Sequence, residues 1–68
     1  MYFTIIIQHT KDNNYIPAIF KYPTIDDAKA KAYSEIGYNY SAKVLKSCIV
    51  QVIDEFGSVL FTETYKGE

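Results

Sequence analysis

The chain has 68 residues, is nearly half apolar (49%) and carries a formal charge of -1. That is too apolar and too weakly charged for a disordered chain, and its length allows one domain, residues 1–68. One cysteine excludes an internal disulfide framework, one histidine beside it is a poor start for a zinc site, and no apolar run approaches a membrane span.

Tyr2 to His9 is rich in β-branched and aromatic residues and predicts strand 1. The polar run Thr10 to Asn14 predicts a hairpin loop, and Tyr15 to Tyr22 predicts strand 2. Pro17 has no N–H to give a ladder, which assigns strand 2 to a sheet edge, a bulge or a strand start. Thr24 is a good N-cap for the one helix, with Asp26 and Asp27 in its first turn. Ile25, Ala28, Ala32 and Ile36 form one stripe at helical spacing, which Tyr40 would extend. Gly37 either ends the helix or lets a looser turn run on to Tyr40. Val44 to Ile53 and Ser58 to Tyr65 predict strands 3 and 4. Asp54-Glu55-Phe56-Gly57 joins them, with Gly57 suited to a left-handed position. Lys66-Gly67-Glu68 reads as a short frayed tail. The fold class is therefore α+β: a ββαββ order, forming a four-stranded antiparallel sheet with one helix packed on one face.

An antiparallel sheet with one wet face alternates apolar and polar residues. Here both sets are apolar. Phe3, Ile5 and Ile7 alternate with Tyr2, Thr4 and Ile6, and Ile16, Ala18 and Phe20 with Tyr15, Pro17 and Ile19. In strand 3, Val44, Cys48, Val50 and Val52 oppose Leu45, Ile49 and Ile53. In strand 4, Val59, Phe61 and Tyr65 oppose Leu60, Thr62 and Thr64. One helix covers one face, so the other is expected to leave an apolar patch of the kind that marks a binding surface. A small domain without disulfide or metal also often relies on association. The expected arrangement is a homodimer, the commonest closed assembly.

No residue set announces catalysis. His9 ends a strand without a serine or cysteine placed to complete a triad. Cys48 lies mid-strand, where free cysteine behaves as a small buried apolar residue. Asp26 and Asp27 are explained by the helix start, and Asp54 and Glu55 by a solvated turn. The three glycines form no phosphate-cradling loop. Seven lysines and no arginine, balanced by eight acidic residues, give no broad attraction to nucleic acid or to a membrane. No catalytic residue, metal ligand or cofactor site is assigned. Met1 leads directly into strand 1 without a basic segment or small-residue cleavage site, so no secretory signal is expected. A free cysteine suits the cytoplasm.

The segment Thr24 to Ile36, followed by Cys48 to Asp54 and the Gly57 turn, resembles a group of small uncharacterised ββαββ proteins. These are encoded by phages and mobile elements of low-GC Gram-positive bacteria. They share a capped Thr-x-x-Asp/Glu-Ala helix and a final Val-Ile-Asp hairpin. The resemblance carries no catalytic residues. It implies a cytoplasmic protein of a host cell that binds and blocks a host or antiphage-defence factor.

The expected function is therefore non-catalytic protein–protein binding. The candidate contact residues are Tyr2, Ile6 and Ile19 on one sheet face, Phe61 and Tyr65 near the last strand, and Tyr38 and Tyr40 after the helix. Tyrosine offers large contact area with few rotamers to freeze. A second expectation is an oligomeric sponge for a small signalling nucleotide or metabolite. There tyrosines would stack on the base and Lys29, Lys43 or Lys46 would meet the phosphate. A third is a structural accessory of a virion or replication complex.

Overall fold

A computed structural model describes residues 1–67. The elements are β1 (Tyr2–Thr10), β2 (Tyr15–Tyr22), α1 (Ile25–Ala42), β3 (Leu45–Asp54) and β4 (Val59–Lys66). All neighbouring strands run antiparallel, in the order β2-β1-β3-β4. The ββαββ architecture read from the sequence is thus the one observed. Pro17 sits in β2, an outer strand, where a residue without N–H is tolerated.

Turn chemistry fixes both hairpins. Asn13 adopts a positive φ of 68°, and the loop closes through Thr10 N–H donating to Asn14 O at 2.8 Å. At the second hairpin Gly57 has φ 86°. The Asp54 carboxylate accepts from both Phe56 N–H and Ser58 N–H, each at 2.9 Å. Asparagine and glycine are the residues that enter the left-handed region at least cost.

The helix begins where the sequence places it, with Thr24 Oγ1 accepting from Asp27 N–H at 3.2 Å. It does not stop at Gly37. It continues through Tyr38 and Tyr40 to Ala42, and Lys43 takes the left-handed cap at φ 55°. Glycine weakens a helix interior without breaking it, provided packing holds the helix on both sides of it. A Cβ on Gly37 would meet nothing within 4 Å. Gly37→Ala is therefore expected to raise stability by about 0.5–1 kcal/mol, read as a later urea midpoint with an unchanged slope.

The fourth buried residue of the helix is Asn39, not Tyr40. At about 100° per residue, Asn39 lies about 20° from the direction of Ala32, and Tyr40 about 80°. Ala28, Ala32 and Ile36 form one buried cluster with Ile6, Cys48, Val50 and Val52 of the sheet, and Asn39 is buried beside Cys48. The alanines bring the helix close enough for buried Thr4 Oγ1 to donate to Ala28 O at 2.7 Å. Thr4→Val keeps the shape and removes this bond. A loss of about 1 kcal/mol is expected by chemical denaturation.

Two β-bulges change which side chains face the helix. Opposite His9 and Thr10 the partners are Ser47 and Leu45, so Lys46 is the extra residue. Opposite Val52 and Ile53 the partners are Phe61 and Val59, so Leu60 is the extra residue. Each bulge inverts the alternation beyond it. Leu45, placed by simple alternation with Ile49 and Ile53, is turned into the core instead. Val59, placed with Phe61 and Tyr65, pairs with Ile53 on the far side. Val44 lies outside the strand and is exposed. The expected frayed tail is also corrected. Lys66 ends β4, and Gly67 N–H donates to Lys46 O at 2.8 Å. Glu68 lies outside the described residues.

Candidate functional site

The Cα trace measures 33 × 20 × 14 Å. This is one sheet with one helix layer, and the broad face opposite the helix is bare. Directly paired residues on neighbouring strands share a face. Ile19 pairs with Ile5, Ile7 with Ile49, and Phe3 with Ile53. This block spans β2, β1 and β3 on the uncovered side, with Gln51 opposite Ile5 inside it and Lys21 opposite Phe3 at its border. Val59 adds to it beyond the second bulge. Strand spacing of about 4.8 Å and a rise of about 3.3 Å per residue put the block at a few hundred Å². Toward β4 the same face turns more polar, with Thr62 opposite Gln51 and Thr64 opposite Ile49. At one end His9 stacks on Tyr15, with ring centroids 4.3 Å apart, and its Nε2 lies 2.9 Å from Asn13 Oδ1.

The anticipated contact residues separate. Ile6 pairs with Ala18 on the helix side and is 3% exposed, whereas Ile19 pairs with Ile5 on the uncovered side and is 67% exposed. Tyr2 is half-buried against the core on the helix side. Tyr2, Ile6 and Ile19 therefore do not share a face, because strand parity alone does not say which residues pair across β1 and β2. Tyr65 is buried in the core and presents no surface. Phe61 is half-buried, with Tyr33 tilted against it at 5.0 Å and Lys29 Nζ at 6.0 Å from its ring. Tyr38 and Tyr40 lie within the helix rather than after it, both exposed. Tyr40 also meets Tyr65 edge to face at 5.0 Å. Of these residues, Ile19 alone belongs to the uncovered block. Phe3, Ile5, Ile7, Ile49 and Ile53 complete it, and the double-sided apolar pattern of β1 was their signal.

Beneath the second half of the helix lies a polar cluster. Gln8 Nε2 donates to Glu35 Oε1 at 2.9 Å, and Lys31 Nζ stands 3.8 Å from Glu35 Oε2. Asn39 Nδ2 donates to Glu35 O at 2.9 Å. Burial pushes the Cys48 thiol above its ordinary range, the Glu35 carboxylate adds to the rise, and a hydrogen bond to Asn39 opposes it. The thiolate is the reactive form, so this cysteine is held in its inert state. Iodoacetamide is expected to modify Cys48 at the rate of chain opening in buffer, and at the free-thiol rate in urea. The rise also sets a pH dependence. An unfolded thiol releases its proton near pH 9.0 and the folded one holds it higher. The resulting stability is complete below that pH and is lost as pH climbs toward the folded value. The urea midpoint is expected to fall between pH 8 and pH 10 more steeply in the native chain than in Cys48→Ala.

Among the described residues no three of His, Cys, Asp or Glu gather as a metal site, and no helix is long and apolar enough to cross a membrane. Comparison with protein-family models, with curated proteins and with solved structures finds no match to the chain.

Proposed function

We propose that the chain is a non-catalytic binding protein that acts by protein–protein contact through its uncovered sheet face, blocking the surface it covers. The observation that carries this reading is the registered apolar block of Ile19 with Ile5, Ile7 with Ile49 and Phe3 with Ile53. Water on that block costs free energy that a second protein layer recovers. A sheet face accepts another sheet about 10 Å away, so a second copy of the chain is a geometrically suitable occupant in the free protein. The host-directed role, inhibition of a host or antiphage-defence factor, is supported by the sequence resemblance.

The test uses Ile19→Lys with Ile49→Lys, two exposed positions on that face. Light scattering of the free chain is expected to give a dimer, and the double variant a monomer with an unchanged melting curve. From a lysate of the host cells, the native chain is expected to retain one protein in stoichiometric amount that the variant does not. A native monomer whose captured proteins are the same as those of the variant overturns the reading.

A further inference from the structure

At the C-terminal end of the helix a cavity of about 450 Å³ is lined by Lys11, Tyr40, Lys43, Leu45, Tyr65, Lys66 and Gly67. Its size lies within the range of small-ligand sites. Four parts of the chain build it: the first hairpin loop, the helix end, the start of β3 and the end of β4. Three of the chain's seven lysines meet there, and among the described residues no carboxylate lines it. The floor is fixed by close backbone approach. A Cβ on Gly67 would stand 2.7 Å from Leu45 O, 3.0 Å from Lys46 O and 3.3 Å from the Tyr65 hydroxyl. Only glycine lets β4 lie against the Lys46 bulge.

Among the described residues the side chains of these three lysines make one hydrogen bond. Lys11 Nζ donates to Lys43 O at 3.2 Å, capping a helix end that has no basic residue in its last turn. That bond engages one of the three ammonium protons of Lys11 and leaves two for another acceptor. Lys43 and Lys66 bring two further charges to the cavity rim. Tyr40 supplies an aromatic wall. Its contact with Tyr65 is edge to face at 88°. Whichever ring gives its edge, at least one face of Tyr40 is left clear of Tyr65, and Tyr40 is 57% exposed.

We infer that this cavity binds a small molecule that joins a phosphate to a planar ring, a nucleoside phosphate by chemical class. The phosphate meets Lys11, Lys43 and Lys66, whose point charges suit its spread negative charge. The ring stacks on the free face of Tyr40. Of the lysines expected from the sequence to meet phosphate, Lys43 alone lines the cavity, while Lys29 lies by Phe61. The site lies outside the block that carries the proposed protein contact, so either reading can fail without the other.

The test is calorimetric titration of the full chain with ADP, AMP, adenosine and inorganic phosphate, with amide shifts followed by NMR. ADP is expected to bind more tightly than AMP, and both more tightly than adenosine, with affinity falling as salt rises. The shifted amides are expected to be those of Lys43, Leu45, Lys66 and Gly67. Lys43→Asn, which keeps a residue tolerant of the left-handed cap, combined with Lys66→Gln is expected to weaken ADP at least tenfold. Tyr40→Leu is expected to weaken ADP by about tenfold, as loss of one stacked base does, and to leave inorganic phosphate unchanged. No binding of ADP at millimolar concentration overturns the inference. So does binding that survives the double lysine variant, or amide shifts located elsewhere on the native chain. Equal affinity for ADP and inorganic phosphate overturns the ring contact and with it the ligand class.

Discussion

Replacing Ile6 by alanine is expected to lower the unfolding free energy by about 2–5 kcal/mol, enough to remove much of the stability of a domain this small. Ile6 sits in β1, which has strands on both sides, and faces the helix with 3% of its surface exposed. Its neighbour across the ladder is Val50, fully buried in the same cluster. Truncation removes three carbon atoms at the centre of the only layer the helix covers. The alanines above cannot move down to fill the space without shifting the whole helix. The check is urea unfolding followed by circular dichroism, set beside Ile7→Ala. Ile7 is the next residue in the same strand, but it faces the uncovered side and is exposed. At protein concentrations that keep the chain monomeric, Ile7→Ala is expected to cost clearly less. Equal losses at the two positions would mean that the helix does not select one face of β1.

Ala32→Leu is the complementary case, with an expected loss of roughly 3 kcal/mol from overpacking and the hydrogen bond broken with it. Ala32 has no exposed surface and lies at the centre of the helix stripe. A leucine there has to push the helix away from Val50, Val52 and Ile6, or leave its preferred rotamers. Lifting the helix separates Thr4 Oγ1 from Ala28 O, now 2.7 Å apart. The two effects are therefore coupled. Thr4→Val is expected to cost less in the Ala32→Leu background than alone, and a double-mutant cycle measures the difference. Full additivity would show that the helix stays seated and that the leucine is accommodated some other way.

Both substitutions probe the same property of the chain: one helix of small residues closes one face of a sheet that is apolar on two. That imbalance was readable in β1 itself, where Phe3, Ile5 and Ile7 alternate with Tyr2, Thr4 and Ile6. The candidate contact residues were less readable. Tyr38 and Tyr40 at the helix end and Tyr65 in the last strand suggested a recognition surface, yet Tyr65 is used as core and Tyr40 packs against its ring. An aromatic residue's propensity does not state whether its ring faces solvent or another ring.

The local elements follow from the sequence because their causes are local. Thr24 caps the helix with its own hydroxyl, Asp54 and Gly57 make the second turn, and Pro17 restricts β2 to an edge, a bulge or a strand start, of which the fold uses the edge. The order β2-β1-β3-β4 and the side taken by Leu45, Ile19 and Val59 were decided by the tertiary structure. Each depends on which residue stands opposite on another strand. One extra residue at Lys46 or Leu60 reverses every side chain beyond it without any mark in the strand's own pattern. The meeting of Lys11, Lys43 and Lys66 has the same origin. These residues are far apart along the chain, and only the docking of hairpin, helix end and last strand makes them neighbours.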